Sequence, residues 1–503
     1  IGWEIKDAAQ STLSFDKYGV LRFITDVDGF VTRLDYSEEY NLNKIVTPSG
    51  KEFAIEQNEF GYITGITLPD GSKLAYSYNE NGNLATFTDA NGGMREYQYD
   101  DTSRMTSWKD ENGNTVVTNT YDDDGRVVEQ TDANGGTAVI EYQEGKTVTV
   151  DNEGNRTAYS YDGQYRTKSI TYPNHTMSIK SYNRENQLER EVTAKGTKTY
   201  TYDDFGNIAT ETREDGCTAY YAYNAQNKLV SATNYNGALT TYEYDGEGNL
   251  AAVNQPDKSR ITYTSDNFHR ITSMTDGRGI TSTYGYDGAN LTSYTDGEGN
   301  VWKFTYDDMN RAVSKTDPLG NTESISYNAR GEVIAKTAAD GGVEKYGLDG
   351  VGNIVSITDP LGKTTTFTYD AMYNMVQGTD SEGHSISYEY DKNYREILST
   401  DAKGNTIASE YDKMGRLIKE TNQDFGTRQY GYDVAGNRVS DTDGEGNTTS
   451  YEYNALGLPT KVTDALGSTT QYSYDPLGNE TKVSHADGAA VQTSYDSMGR
   501  VVS

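Results

Sequence analysis

The sequence predicts an all-β protein, a continuous antiparallel meander of short hairpins, on three observations. A unit of about 21 residues recurs along the chain, residues within it alternate with period two, and each unit carries two turn signals. The dipeptides Tyr369-Asp370, Tyr390-Asp391, Tyr411-Asp412, Tyr432-Asp433, Tyr453-Asn454, Tyr474-Asp475 and Tyr495-Asp496 follow one another at a constant spacing. Backwards, the register passes through Leu348, Tyr327, Tyr306, Tyr286, Ser265, Tyr244, Tyr223, Tyr202, Tyr182, Tyr161, Tyr142, Tyr121, Tyr99, Tyr78, Gln57, Tyr36 and Phe15 in steps of 19 to 22. Residues 1–503 therefore read as one repeat domain of about 24 copies.

The first element of each copy is a turn, Tyr-Asp-x-x-Gly-Arg/Asn-Leu, as in Tyr411 to Leu417. Asp or Asn bonds its own backbone there, and Gly three residues later accepts a positive φ. A short strand follows, of the kind Arg438-Val439-Ser440-Asp441-Thr442, rich in β-branched residues. The second turn is Thr-Asp-x-x-Gly-Asn, as in Thr316-Asp317-Pro318-Leu319-Gly320-Asn321. The second strand ends in aromatic pairs two apart, such as Tyr430 and Tyr432 or Tyr451 and Tyr453. That spacing puts both rings on one face of a strand, whereas a helix would separate them. Nearly 50 strands, each twisted by about 20 to 25° from the last, cannot stay flat, so the expectation is a ribbon that coils into a hollow spiral shell. Copies that depart from the consensus, at Gln57, Tyr142, Ser265 and Leu348, are expected to mark bulges or seams.

Composition excludes several function classes. Hydrophobic residues make up 34% and mean hydropathy is -0.80, yet 43 tyrosines argue against a disordered chain. A formal charge of -32 argues against nucleic acid or an anionic membrane surface as partner. No apolar run approaches a membrane span of about 20 residues. Cys217 is the single cysteine, which excludes a disulfide framework and a multi-cysteine metal site. The opening at Ile1 and the stop at Ser503 make a segment of a longer chain, with both flanks missing, the expectation.

The tandem heads Tyr121-Asp122-Asp123-Asp124-Gly125-Arg126-Val127, Tyr411-Asp412-Lys413-Met414-Gly415-Arg416-Leu417 and Tyr495-Asp496-Ser497-Met498-Gly499-Arg500-Val501 resemble the YD-repeat or Rhs-repeat family. The resemblance covers essentially the whole chain. It implies a spiralling β-shell like those of Rhs polymorphic toxins, the C component of Tc toxins, wall-associated YD proteins and teneurins. It further implies secretion or display at the cell surface, and a C-terminal toxin cargo enclosed by the shell. An acidic wall would suit a basic cargo such as a nuclease domain. The alternative is an adhesive module that binds cell-surface carbohydrate on its outer face.

No catalytic, cofactor or metal residue is assigned, and the chain is expected not to be an enzyme. His175, His269, His384 and His485 fall in different repeats without metal-ligand spacing and read as surface turn residues. Cys217 sits in a turn with no neighbouring histidine. The acidic turns Asp110 to Asn114, Asp151 to Asn155 and Asp443 to Asn447 are oxygen-rich but lack the Gly and Glu spacing of a calcium loop, so they read as structural. Trp108, Trp302 and exposed tyrosines could stack on sugars, although rings on half-buried strands more often pack. The sequons at Asn155, Asn174, Asn290 and Asn447 occur as often as chance gives in this composition.

Overall fold

The computed structural model describes residues 2–6, 11–27, 29–423 and 426–503. Among the described residues forty-eight strands run as one meandering antiparallel sheet, and no helix occurs. Alternation is visible strand by strand. In Lys73–Tyr78, Val301–Tyr306 and Thr448–Tyr453 every second side chain is exposed, and the intervening Leu, Phe, Trp and Tyr are half-buried.

Both kinds of turn share one five-residue geometry. In the Asp412 turn the Asp412 N–H donates to the Arg416 carbonyl, and the Gly415 N–H returns to the Asp412 carbonyl, both at 2.9 Å. The Asp412 carboxylate oxygen Oδ1 accepts the N–H groups of Met414 and Arg416. Gly415 sits at φ 75°, the left-handed region where a side chain is disfavoured. What distinguishes the Tyr-Asp hairpin is a bulge at its tyrosine. Glu410 faces Lys419 and Tyr411 faces Leu417, so the strand carrying Leu417 holds one residue more.

Bulges do not set the irregular copies apart, because regular copies carry them too. The copies at Gln57 and Leu348 carry the same bulge as their regular neighbours. The shortened copy at Tyr142 has none, because Gln143 pairs with Lys146 and a two-residue loop closes the hairpin. The bulge belongs to the consensus turn itself.

Successive Tyr-Asp turns are fastened together along one edge of the sheet. Arg416 Nε bonds Asp412 Oδ2 of its own turn at 2.7 Å. Its guanidinium lies 4.6 Å from the Tyr432 ring centroid of the next repeat, and its Nη1 donates to the Asp433 carbonyl. The Tyr432 hydroxyl in turn donates back to the Leu417 carbonyl at 2.8 Å. Arg395 with Tyr411, and Arg104 with Tyr121, repeat the arrangement. The partners of these head tyrosines are thus a guanidinium and a carbonyl. Charge, ring and backbone share one clasp, which is why Tyr, Asp and Arg recur together.

There is almost no conventional core. Ile55, Val148, Ala219 and Ala252 are the buried apolar residues among those described. Accessible surface is 28701 Å², against about 18,000 Å² for a compact protein of this mass. A single-layer sheet with both faces accessible accounts for the difference. The described residues divide into two compact units, one comprising 1–126, 130–135 and 263–384, the other 127–129, 136–262 and 385–503.

Candidate functional site

Each unit brings together two stretches of chain that are remote in sequence, and it does so through turns. In the first unit the Asn112 amide donates to Asp349 Oδ2 at 3.0 Å and accepts the Gly350 N–H at 2.8 Å. Asn134 donates to Asp370, and Asn91 accepts from Ala329. In the second unit Asn393 donates to Asp151, Asn152 to the Lys392 carbonyl, and Asn236 to Asp475. In every case a Thr-Asp-type turn of the earlier stretch meets a Tyr-Asp-type turn of the later one, 236 to 242 residues on. We call this contact line the seam.

Two pairs bury charge in the seam. Arg330 Nη1 lies 2.9 Å from Asp89 Oδ2, with the side chains 15% and 6% exposed. The Tyr373 hydroxyl donates to Asp110 Oδ2 at 2.7 Å. Burial, and then that hydrogen bond, push the Tyr373 phenol well above its usual range. Tyr373 also occupies the left-handed turn position at φ 68°, which glycine fills in most copies. Its strained backbone is the cost of carrying a hydroxyl across the seam. Nothing in the consensus marks these residues, since Asn at the third turn position looks like ordinary turn chemistry. The only available signal is its recurrence at Asn91, Asn112 and Asn134.

The candidates singled out in the sequence remain apart. His175 and His269 hold turn positions at φ 67° and 61°. His384 and His485 lie beside turns and are exposed. His384 Nδ1 is 2.9 Å from Asp380 Oδ2, and that bond raises the imidazole pKa. Cys217 is half-buried, its N–H bonded to Asp215. The oxygen-rich turns are occupied by their own donors. Asp110 Oδ1 accepts from the N–H groups of Asn112 and Asn114, and Oδ2 from the Asn114 amide and Tyr373. Asp443 takes the Glu445 and Asn447 N–H groups and the Asn447 amide, and Asp151 has the equivalent set from Glu153 and Asn155. Of the sequon residues, Asn155, Asn290 and Asn447 donate their amides to other turn residues, and Asn174 accepts from Thr176. No group of three or more His, Cys, Asp or Glu placed to hold an ion occurs among the described residues. Trp302 lies against Tyr294 with ring centroids 5.3 Å apart, and Trp108 lies 5.9 Å from the Arg95 guanidinium.

The two sheet faces differ. One carries half-buried rings and aliphatic side chains, and over Phe304, Ile325, Lys336 and Glu344 it forms a concavity of about 600 Å³. The other carries hydroxyl pairs such as Ser77 with Thr86 and Thr305 with Ser314, and cross-strand ion pairs such as Lys461 with Glu452.

Several carboxylates are held below their ordinary pKa range. In the turns, the Arg126 N–H and then its guanidinium lower Asp122 and the Asn447 amide lowers Asp443, and in the strand Leu239–Tyr244 Arg260 with Asn254 holds Glu243 at about 2. Their folded values lie below the unfolded ones near 4. The stability they add is therefore complete above about pH 4 and is lost as pH falls through the depressed values. Melting temperatures are expected to fall below about pH 4, and a midpoint at pH 2.5 equal to that at pH 5 would contradict the assignment.

The family profile described as RHS Repeat matches residues 58–94, 78–115, 99–137, 182–218, 223–260, 288–322, 327–360, 349–383, 411–448, 432–469 and 453–490. The chain belongs to the RHS repeat family. Its clasped Tyr-Asp hairpins are the RHS units, and the matches cover both units of the fold. Among solved structures the RHS chain is similar to TcdB2-TccC3-TEV, with 12% identity and a TM-score of 0.51, over 98% of this chain and 35% of that one. It is similar to TcdB2-TccC3-Cdc42 at 12% identity and a TM-score of 0.50, over 94% and 39%. The Tc holotoxin pore of Photorhabdus luminescens matches at 12% identity and a TM-score of 0.46, over 94% and 38%. The likeness to the first two is one of fold, and the RHS chain spans less than half the length of the solved chains it matches. No curated protein sequence matches it.

Proposed function

We propose that this RHS chain is a non-enzymatic encapsulating scaffold, the β-shell segment of a secreted bacterial toxin, which surrounds a C-terminal cargo domain and keeps it from solvent until delivery. The observation that carries the reading is the seam. A single-layer sheet whose turns meet turns about 240 residues later returns on itself after roughly 23 strands. At about 4.8 Å per strand that circuit is about 110 Å, or 35 Å across, too wide for its own side chains to fill. Within each unit the seam and the hydrogen-bond ladder then make a wall with few open edges. Such a wall needs no catalytic group, and each titratable residue singled out in the sequence serves a turn or stands alone.

Small-angle scattering on dilute protein tests the proposal. A compact chain of this length has a radius of gyration of about 23 Å, and a hollow wall exceeds it, with the innermost scattering pairs depleted. A measured radius no larger than that of the compact chain would overturn the enclosure reading.

A further inference from the structure

An asparagine followed by glycine is chemically the least secure of its kind, because the glycine nitrogen has no side chain beside it to keep it from the amide carbon. The dipeptide occurs five times in the chain, at Asn81, Asn91, Asn112, Asn134 and Asn236, and the last four of these are seam residues. Asn112 is tied at both ends of its amide, to Asp349 Oδ2 and to the Gly350 N–H. Asn134 and Asn236 donate to Asp370 and Asp475, and Asn91 only accepts, from Ala329. Each of these pairs lies within one unit. Asn81 is the built-in comparison. Its turn has the same geometry, with the Gly82 N–H bonded to the Asn79 carbonyl as Gly113 is to Asp110, but its side-chain amide has no partner among the described residues. All five asparagines are exposed to water.

The charge pattern of the seam shows what a carboxylate at this third turn position requires. Where the residue is already acidic, an arginine lies against it. Asp257 meets Arg500 at 2.9 Å, Asp70 meets Arg311 at 3.9 Å and Glu153 pairs with Arg395, each arginine being the fifth residue of the opposing turn. Asp215 has Arg213 of its own turn. Opposite Asn112, Asn134 and Asn236 the fifth position holds Asn353, Asn374 and Asn479, whose amides are bonded to Asp349, Asp370 and Asp475. Those same three carboxylates receive the seam amides. A negative charge created at residue 112, 134 or 236 therefore meets a carboxylate, with no arginine at the fifth position to balance it.

We infer that Asn112, Asn134 and Asn236 are deamidation sites gated by the seam, and that their conversion makes its opening irreversible. In the closed seam each amide is held across the contact, away from its own glycine nitrogen. When the seam opens and the turn bond of the glycine N–H breaks, the Gly113 nitrogen gives up its proton and bonds to Asn112 Cγ. The Cγ–Nδ2 bond breaks, Nδ2 leaves as ammonia, and a five-membered succinimide remains. Water then cleaves one of the two imide bonds and leaves an aspartate or isoaspartate carboxylate. The sum is amide plus water to carboxylate plus ammonium, with no change of oxidation state. The new carboxylate confronts Asp349 where an amide donated before, so attraction becomes repulsion and that contact does not close again. Asn91 differs, because its oxygen accepts from a backbone N–H and continues to do so as a carboxylate.

Peptide mapping by mass spectrometry on the 503-residue chain, aged at mildly alkaline pH, tests this, since each conversion adds about 1 Da. Asn81 is expected to convert at least about tenfold faster than Asn112, Asn134 and Asn236, with Asn112, held at both ends, the slowest. In concentrated guanidinium, where no seam exists, the rates should agree within about threefold. Arg330→Ala, which loosens the seam of the first unit, should raise conversion at Asn112 by at least about threefold and leave Asn81 unchanged. If that variant does not fold, wild type in urea below its melting midpoint should show the same selective rise. Asn112→Asp supplies the product directly and should speed conversion at the neighbouring Asn134 by about threefold. Asn112→Asp/Asn353→Arg, which recreates the pairing of Asp257 with Arg500, should return Asn134 to its wild-type rate. Seam asparagines that convert as fast as Asn81 in the folded chain, a rate at Asn112 that loosening does not move, or an Asn134 indifferent to Asn112→Asp would overturn the inference.

Discussion

Replacing Arg330 with alanine is expected to cost about 3 to 5 kcal/mol, the largest single effect in the molecule. Arg330 joins three groups. It pairs with Asp89 across the seam, with Glu332 at 2.8 Å in its own turn, and its Nη1 donates to the Gly350 carbonyl. Truncation removes the cation and leaves the Asp89 carboxylate buried without its partner, which costs more than the pair is worth when intact. Asp89 keeps its bonds from the Asn91 and Gly93 N–H groups, so the turn itself survives. The loss should therefore appear as loosening between the two stretches of the first unit. Denaturant melts of wild type and Arg330→Ala, with hydrogen exchange at Asn91 and Ala329, check this. A change under about 1 kcal/mol would show that the seam is not held here.

Tyr432→Ala should cost about 3 kcal/mol, while Lys413→Ala, in the adjacent turn, should cost less than about 0.5 kcal/mol. The tyrosine loses its ring beneath Arg416 and its hydroxyl bond to Leu417. Tyr432→Phe separates the two losses, and about 1 kcal/mol is expected for the hydroxyl alone. Because each repeat touches its neighbours along the sheet, the damage is expected to centre on the repeats around the site. Equal melting midpoints for Tyr432→Ala and Lys413→Ala would refute the clasp.

The hairpins are legible in the sequence because they are local. Turn residues at Asp412 and Gly415, and alternation through Tyr430 and Tyr432, depend on near neighbours in the chain, and period alone reveals them. The partners of the head tyrosine are harder to read, because two rings on one face suggest each other. The Arg416 guanidinium, in the turn of the preceding repeat, competes better for the Tyr432 ring. The seam is not legible. Asn112 meets Asp349 only after the accumulated twist of more than twenty strands, and no local pattern encodes that sum. The stray copies mislead for a related reason. Tyr142 looks distorted in sequence, yet its deletion produces a tighter loop and removes the bulge.

The separation of some 240 residues across the seam has a kinetic consequence. Hairpins and clasps close loops of a few to about twenty residues, which costs little entropy and takes about microseconds. Seam contacts such as Asn112 with Asp349 cannot form until the intervening strands have paired and fixed their twist. Assembly is thus ordered, with growth along the strand ladder first and lateral locking last, so the latest bonds to form are the first to open under load. Each unit therefore opens along its seam before any strand is lost.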